Sequence, residues 1–149
     1  MMRRTAWIPA AVAALVMMAA WALPARSMVI ADIPVGTWII RSYKMSGASA
    51  WGNQYAELFL NRTVRIEEHA ITFGASTCGV NFESQEHNTA TYFHAHHHTG
   101  PLSLGIAAST FTLVKSNCSI TGFDRLLFFG GDTLVMSVDT VFFFMERVQ

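Results

Sequence analysis

Residues 132–148, DTLVMSVDTVFFFMERV, decide the fold of this chain. They divide into two runs rich in Val, Phe and Met that meet at Asp139, and such residues favour a pleated, half-buried surface. On a strand, Phe142 and Phe144 share one face while Phe143 lies on the other. Both faces are apolar, so we expect a hairpin whose last strand is buried on both sides, as in a closed barrel or a tight sandwich.

The first 27 residues, MMRRTAWIPAAVAALVMMAAWALPARS, have the layout of a secretory signal peptide. Arg3 and Arg4 supply the positive start, and an apolar run and small residues follow. Cleavage between Ser27 and Met28 satisfies the small-residue rule, and a second candidate site ends at Ala22. An uncleaved membrane anchor is the alternative, because the apolar run nearly reaches the length that spans a bilayer.

The remaining residues, 28–149, suffice for one domain with a hydrophobic core. The full chain is 52% hydrophobic and 13% charged, which excludes a disordered protein. Removal of the signal peptide takes away Arg3, Arg4 and Arg26 and leaves seven basic against ten acidic residues, a net charge of about −3. Because no cluster of Lys and Arg remains, we expect neither a nucleic-acid partner nor stable membrane association. The expected location is the periplasm or the extracellular medium.

Cys78 and Cys118 are the two cysteines of the chain. In an exported protein such a pair favours a disulfide, which on the chain-entropy account would stabilise the fold by about 4 kcal/mol. Participation of the cysteines in a metal site is the alternative.

Shorter patterned runs fill the middle of the chain. They predict strands at 36–45, 63–67, 69–73, 109–116 and 123–129, and an irregular polar segment at 84–101. They also predict a short helix at 54–60, with Tyr55, Leu58 and Phe59 able to face inward. About seven or eight short strands with one short helix favour an all-β fold, and we expect a small antiparallel barrel. Contact between the first strand at Trp38 and the last strand at residues 142–144 would close it.

A set of short motifs occurs in a fixed order: Gly36-Thr37-Trp38, the helix, Cys78 after a hairpin, Cys118 at a strand end, and the final DTLVMSVDTVFFFMER. Together they resemble a group of small exported proteobacterial proteins of lipocalin-like architecture. The Gly-x-Trp motif is also similar to the lipocalin opening, in which a Trp plugs the closed end of the barrel. The resemblance covers most of the mature chain and implies a barrel that binds a ligand or partner. It assigns no catalytic residues.

Five of the six histidines lie in one stretch: His87, His94, His96, His97 and His98. Imidazole is the commonest protein ligand for zinc and copper. If residues 93–98 are extended, neighbours two apart project on the same side with Cα atoms about 6.6 Å apart, close enough to share an ion. His94 with His96, or His96 with His98, would then form a site, completed by His87, His69, Glu83 or Glu86. The alternative is a solvated polar tract that binds metal weakly.

Catalytic motifs are missing from the sequence, which has no nucleophile elbow, phosphate-binding loop, dinucleotide fingerprint or HExxH pair. The paired acids Glu67 and Glu68 lie in a polar setting and predict a solvated surface. Trp51 and Tyr55, beside the Gly- and Ser-rich loop at 46–53, are candidates for a contact at the barrel mouth or with a partner.

The sequence therefore predicts an exported, non-enzymatic binding protein that takes zinc or copper through His87, His94, His96 and His98. One alternative is a protein-partner module, such as an inhibitor of an envelope hydrolase or an immunity protein. Another is a carrier of a small apolar ligand inside the barrel, although the many Phe residues favour a filled interior.

Overall fold

The computed structural model describes residues 33–50 and 52–149. The predicted signal peptide and Trp51 lie outside these ranges. Nine strands form one antiparallel sheet in the order β4-β3-β2-β1-β9-β8-β7-β6-β5. They are β1 (Gly36–Met45), β2 (Thr63–Glu67), β3 (Ala70–Phe73), β4 (Ser76–Gly79), β5 (Phe82–Asn88), β6 (Thr110–Ser116), β7 (Arg125–Phe128), β8 (Thr133–Val138) and β9 (Val141–Arg147). The sheet curls into a half-barrel, so the predicted antiparallel β architecture is confirmed at that level.

The hairpin of β8 and β9 forms as the sequence predicts. Val138 pairs with Val141 next to the turn, where Asp139 adopts a left-handed φ of 54°. Phe142 and Phe143 are both fully buried, on opposite faces of β9. The strand is therefore buried on both sides because its sequence is apolar in both alternating positions.

Strand β1 pairs with β9, as predicted, but the register differs from the predicted one and the pairing does not close a barrel. Trp38 lies opposite Arg147, while Phe144 lies opposite Ser42 across an irregularity in β1 that follows Ile40. The pairing also lies in the middle of the sheet, because the other edge of β1 pairs with β2. The contact between first and last strands thus joins two halves of the sheet and does not itself close a barrel.

Two hydrophobic clusters lie on the two faces of the sheet. The inner core, on the concave face, receives side chains from strands at both ends of the sheet, with Trp38, Phe123 and Phe143 as its largest fully buried members. The outer core contains side chains of β6 to β9, with Phe142 at its centre, and a helix covers it. Large side chains therefore occupy the inside of the half-barrel.

The disulfide between Cys78 and Cys118 is present, with the two Cα atoms 5.5 Å apart. It joins strand β4, at one edge of the sheet, to the segment that follows β6 near the other edge. The chain passes from β4 to β5 through only Val80 and Asn81, and the backbone N–H of Asn81 donates to the Asn117 side chain. The two edges of the curled sheet are thus linked covalently and by the chain itself.

Two helices accompany the sheet. The first, α1 (Gly52–Glu57), is the predicted short helix, but Tyr55 and Leu58 are exposed, and Phe59 supplies the contact with the core. The second, α2 (Thr89–His97), corrects the prediction of an irregular segment at 84–101, which contains most of β5 and all of α2. Within the described ranges, no helix has the length and apolar character to cross a bilayer.

Candidate functional site

Helix α2 carries most of the histidines and lies on the outer face of the sheet. Asn88, the last residue of β5, caps its first turn by accepting a hydrogen bond from the N–H of Thr91 at 3.0 Å. Tyr92 and Phe93 are buried between the helix and the sheet, and the Phe93 ring lies 5.6 Å from the Phe142 ring. Cap and aromatic contacts together hold a helix that its polar sequence would form only weakly alone.

The helical conformation changes which histidines can act together. Successive side chains of a helix are rotated by about 100°, so His94 and His96 point in nearly opposite directions. The extended arrangement that would pair them does not occur. His94 and His98 are four residues apart and both are exposed. His98 follows the last residue of α2 and caps the helix in a left-handed conformation, φ 51°.

His96 and His97 contact the aromatic cluster beneath the helix. The His96 ring lies 4.4 Å from the Tyr92 ring, and the His97 ring lies 4.8 Å from Phe142. Burial lowers the pKa of His97, and the charges of His96, Arg125 and His98 lower it further. Its Nε2 is buried and finds no hydrogen-bond partner among the described residues, which favours the neutral imidazole.

His87 lies on β5, on the outer face of the sheet, opposite Phe111 of β6. Its ring lies 5.2 Å from Tyr92 and 5.8 Å from Phe111, and its Nε2 is also buried without a partner within the described chain. His87 therefore belongs to the aromatic cluster rather than to the exposed side of α2, where His94 lies.

The other predicted ligands are distributed over the surface. His69 is exposed beside Glu68 in the turn between β2 and β3, and Glu83 and Glu86 are exposed on β5. Nowhere in residues 33–50 and 52–149 do three or more His, Cys, Asp or Glu side chains converge closely enough to hold one ion.

Burial also acts on Tyr92, at the centre of the cluster. It raises the pKa of the phenol, while Arg125 lowers that pKa and Asp124 raises it, each to a smaller extent. Only the two aromatic residues inside the polar stretch, Tyr92 and Phe93, indicate this cluster in the sequence. Their contacts are with residues distant in sequence, which single-sequence patterns do not reveal.

The paired acids expected at the surface lie there. Glu67 Oε1 is 2.8 Å from a guanidinium nitrogen of Arg65, and both side chains are largely exposed. Tyr55, the predicted contact residue on α1, has 62% of its surface exposed. Its role in partner binding stays a prediction.

Comparison of the chain with protein-family models, with curated proteins and with solved structures finds no match. The resemblance to small exported proteobacterial proteins of lipocalin-like architecture therefore stays a prediction.

Proposed function

We propose that this protein is an exported binding protein, not an enzyme, and that it binds zinc or copper on helix α2 through His94 and His98. One observation carries the proposal: His94 is exposed on α2, and His98, four residues later, is the exposed residue that caps the same helix. We expect the two imidazoles to share one ion, each through a ring nitrogen at about 2.0–2.1 Å.

The position at the end of the helix supports a cation. The last carbonyl groups of a helix carry a partial negative charge, which favours positive charge nearby. His96, whose ring contacts Tyr92, and His97, whose ring contacts Phe142, take no part in the proposed site. Two protein ligands leave coordination positions open for water or for a donor atom of a partner, so we expect an affinity in the micromolar range.

Export is supported by the disulfide. Bonds such as Cys78–Cys118 persist in oxidising compartments and are rare in the cytosol. Together with the predicted signal peptide, this favours the periplasm or the extracellular medium.

We also propose that the half-barrel is closed in solution, as the lipocalin-like resemblance implies. The two-residue passage through Val80 and Asn81 lets one stretch of chain border both β3 and β6. The disulfide to Cys118 holds the two sheet edges together at that point. Closure removes exposed strand edges, which otherwise promote aggregation.

The test is calorimetric titration of zinc and copper into untagged protein that begins at Met28. We expect one ion per chain, with binding weakened at least about tenfold, about 1.4 kcal/mol, in His94→Ala and in His98→Ala. His96→Ala is the matched control and should bind as the parent protein does. Binding should also weaken as the pH falls, because a protonated imidazole cannot ligate.

Two results would contradict this site. Equal losses from His96→Ala and His94→Ala would show that the helix does not select the ligand pair. Unchanged binding in the His94→Ala/His98→Ala double variant would place any metal elsewhere.

A further inference from the structure

A groove lies beside α2, outside the half-barrel, between the helix and residues 100–109. Its volume is about 420 Å³, within the range of small-molecule pockets, about 300–1,000 Å³. Its apolar lining comes mainly from small or aliphatic side chains: Ala90, Leu102, Ile106, Ala107 and Ala108.

The groove wall is fixed by two buried residues that precede its small residues. Residues Pro101–Leu104 form one 3-10 turn, which Gly105 ends with a left-handed φ of 78°. Leu104 and Ile106 are buried in the outer core. Ala107 and Ala108 follow and have exposed, short side chains, so a preformed hollow remains beside them.

One apolar side chain at the edge of the groove is exposed to solvent. Leu102 has 77% of its surface exposed, the largest fraction among the large hydrophobic residues of the described chain. Exposed apolar surface next to a hollow is characteristic of a binding site for an apolar group.

The polar lining offers hydrogen-bond donors. The Asn88 side-chain oxygen already accepts from Thr91, which leaves the amide N–H groups of Asn88 to donate. Ser109 adds a hydroxyl, and no Asp or Glu lies among the described residues that line the groove. Donors without a neighbouring carboxylate complement an anionic oxygen.

From this arrangement we infer that the groove binds a small amphiphile, with an apolar chain along Leu102 and Ala108 and a carboxylate at the Asn88 amide. The inference is independent of metal binding, because the apolar lining and the Asn88 amide need no ion. It also differs from carriage inside the barrel, since Trp38, Phe123 and Phe143 fill that space.

The test is calorimetric titration of decanoate and of decanol at neutral pH with a chelator present, using untagged protein from Met28. Charge-assisted hydrogen bonds from the Asn88 amide should make decanoate bind at least about tenfold more tightly than decanol. Asn88→Asp keeps the acceptor that caps α2 but removes the amide donors, so it should reduce that preference and leave decanol binding unchanged. The chelator removes metal, so failure here would not bear on the metal site, and failure of the metal titration would not bear on the groove.

A second pair of variants tests the location. Ala108→Phe fills the groove and should weaken decanoate binding at least about tenfold. Ala75→Phe makes the same change at an exposed alanine in the turn between β3 and β4 and should have no effect. Equal binding of decanoate and decanol, absence of saturable decanoate binding, or an unaltered Ala108→Phe variant would each overturn the inference.

Discussion

The guanidinium carbon of Arg147 lies 4.5 Å from the centroid of the Trp38 ring, at the end of the sheet where these residues face each other across β9 and β1. Trp38 is fully buried, and its Nε1 donates to the carbonyl of Pro34 at 2.8 Å. Arg147 in turn donates to the carbonyl of Val35. Arg147, at the end of the last strand, thereby holds residues 34–35, which lead into the first strand, next to the buried Trp38.

Replacement of Arg147 should destabilise the protein through lost stacking and a lost hydrogen bond. We expect Arg147→Ala to lower the free energy of unfolding by about 1–3 kcal/mol. Arg147→Lys should recover only part of this loss, because an ammonium group lacks the planar surface that stacks on Trp38. Urea unfolding measures both.

Arg41→Ala is the control for the loss of an arginine. Arg41 forms an exposed ion pair with Glu146 at 3.4 Å, and such pairs contribute about 0–1 kcal/mol. If Arg41→Ala destabilised the protein as much as Arg147→Ala, the stacking on Trp38 would have no special role.

Gly36 leaves the space that Arg147 occupies. A Cβ at this position would lie 2.6 Å from Nη1 of Arg147, and the φ of +145° is strained for any other residue. Gly36→Ala should therefore cost about 1–3 kcal/mol of unfolding free energy in chemical denaturation. In Gly47→Ala, where nothing lies within 4 Å of the added Cβ, the same change should cost less than about 0.5 kcal/mol.

A double variant separates the two causes at Gly36. In an Arg147→Ala background the added methyl group no longer meets a guanidinium, so the cost of Gly36→Ala should fall to the backbone strain alone. Strict additivity of the two substitutions would show that the close approach does not matter.

Asp139 ties the loop before α1 to the turn between β8 and β9. Its Oδ2 accepts from the Ser49 hydroxyl at 2.9 Å and from the Ala50 N–H at 3.1 Å. Asp139→Gly suits the left-handed turn but removes the acceptor, so we expect faster hydrogen exchange at the Ala50 amide with little loss of global stability. Asp139→Asn keeps an acceptor oxygen and tolerates the left-handed turn, and should preserve more of the protection. If the Ala50 amide were equally protected from hydrogen exchange in the parent protein and in Asp139→Gly, Asp139 would not be what holds this loop.

The parts of the structure that follow from the sequence are those with local and periodic signals. The β8–β9 hairpin was predictable because both alternating faces of β9 are apolar, and the disulfide because Cys78 and Cys118 are a lone pair. Helix α2 was not predictable, because its only large apolar residues are Tyr92 and Phe93 and its packing depends on Phe142, some 50 residues away. The prediction of an extended segment in its place also put His94 and His96 on the same side.

The buried face of α2 should make stability depend on pH. The pKa of His97 is lowered from 6.5 in the folded protein, mainly by burial, so the unfolded chain binds the proton more readily. The contribution of His97 to stability is therefore complete above pH 6.5, is lost as the pH falls from 6.5 through the folded pKa, and levels off below it. Denaturant unfolding between pH 8 and pH 4, with a chelator present, measures this loss. His97→Phe should make the decline between these limits smaller, whereas His69→Phe, at an exposed turn, should leave it as in the parent protein. A decline of the same size in His97→Phe would show that His97 does not couple α2 to pH.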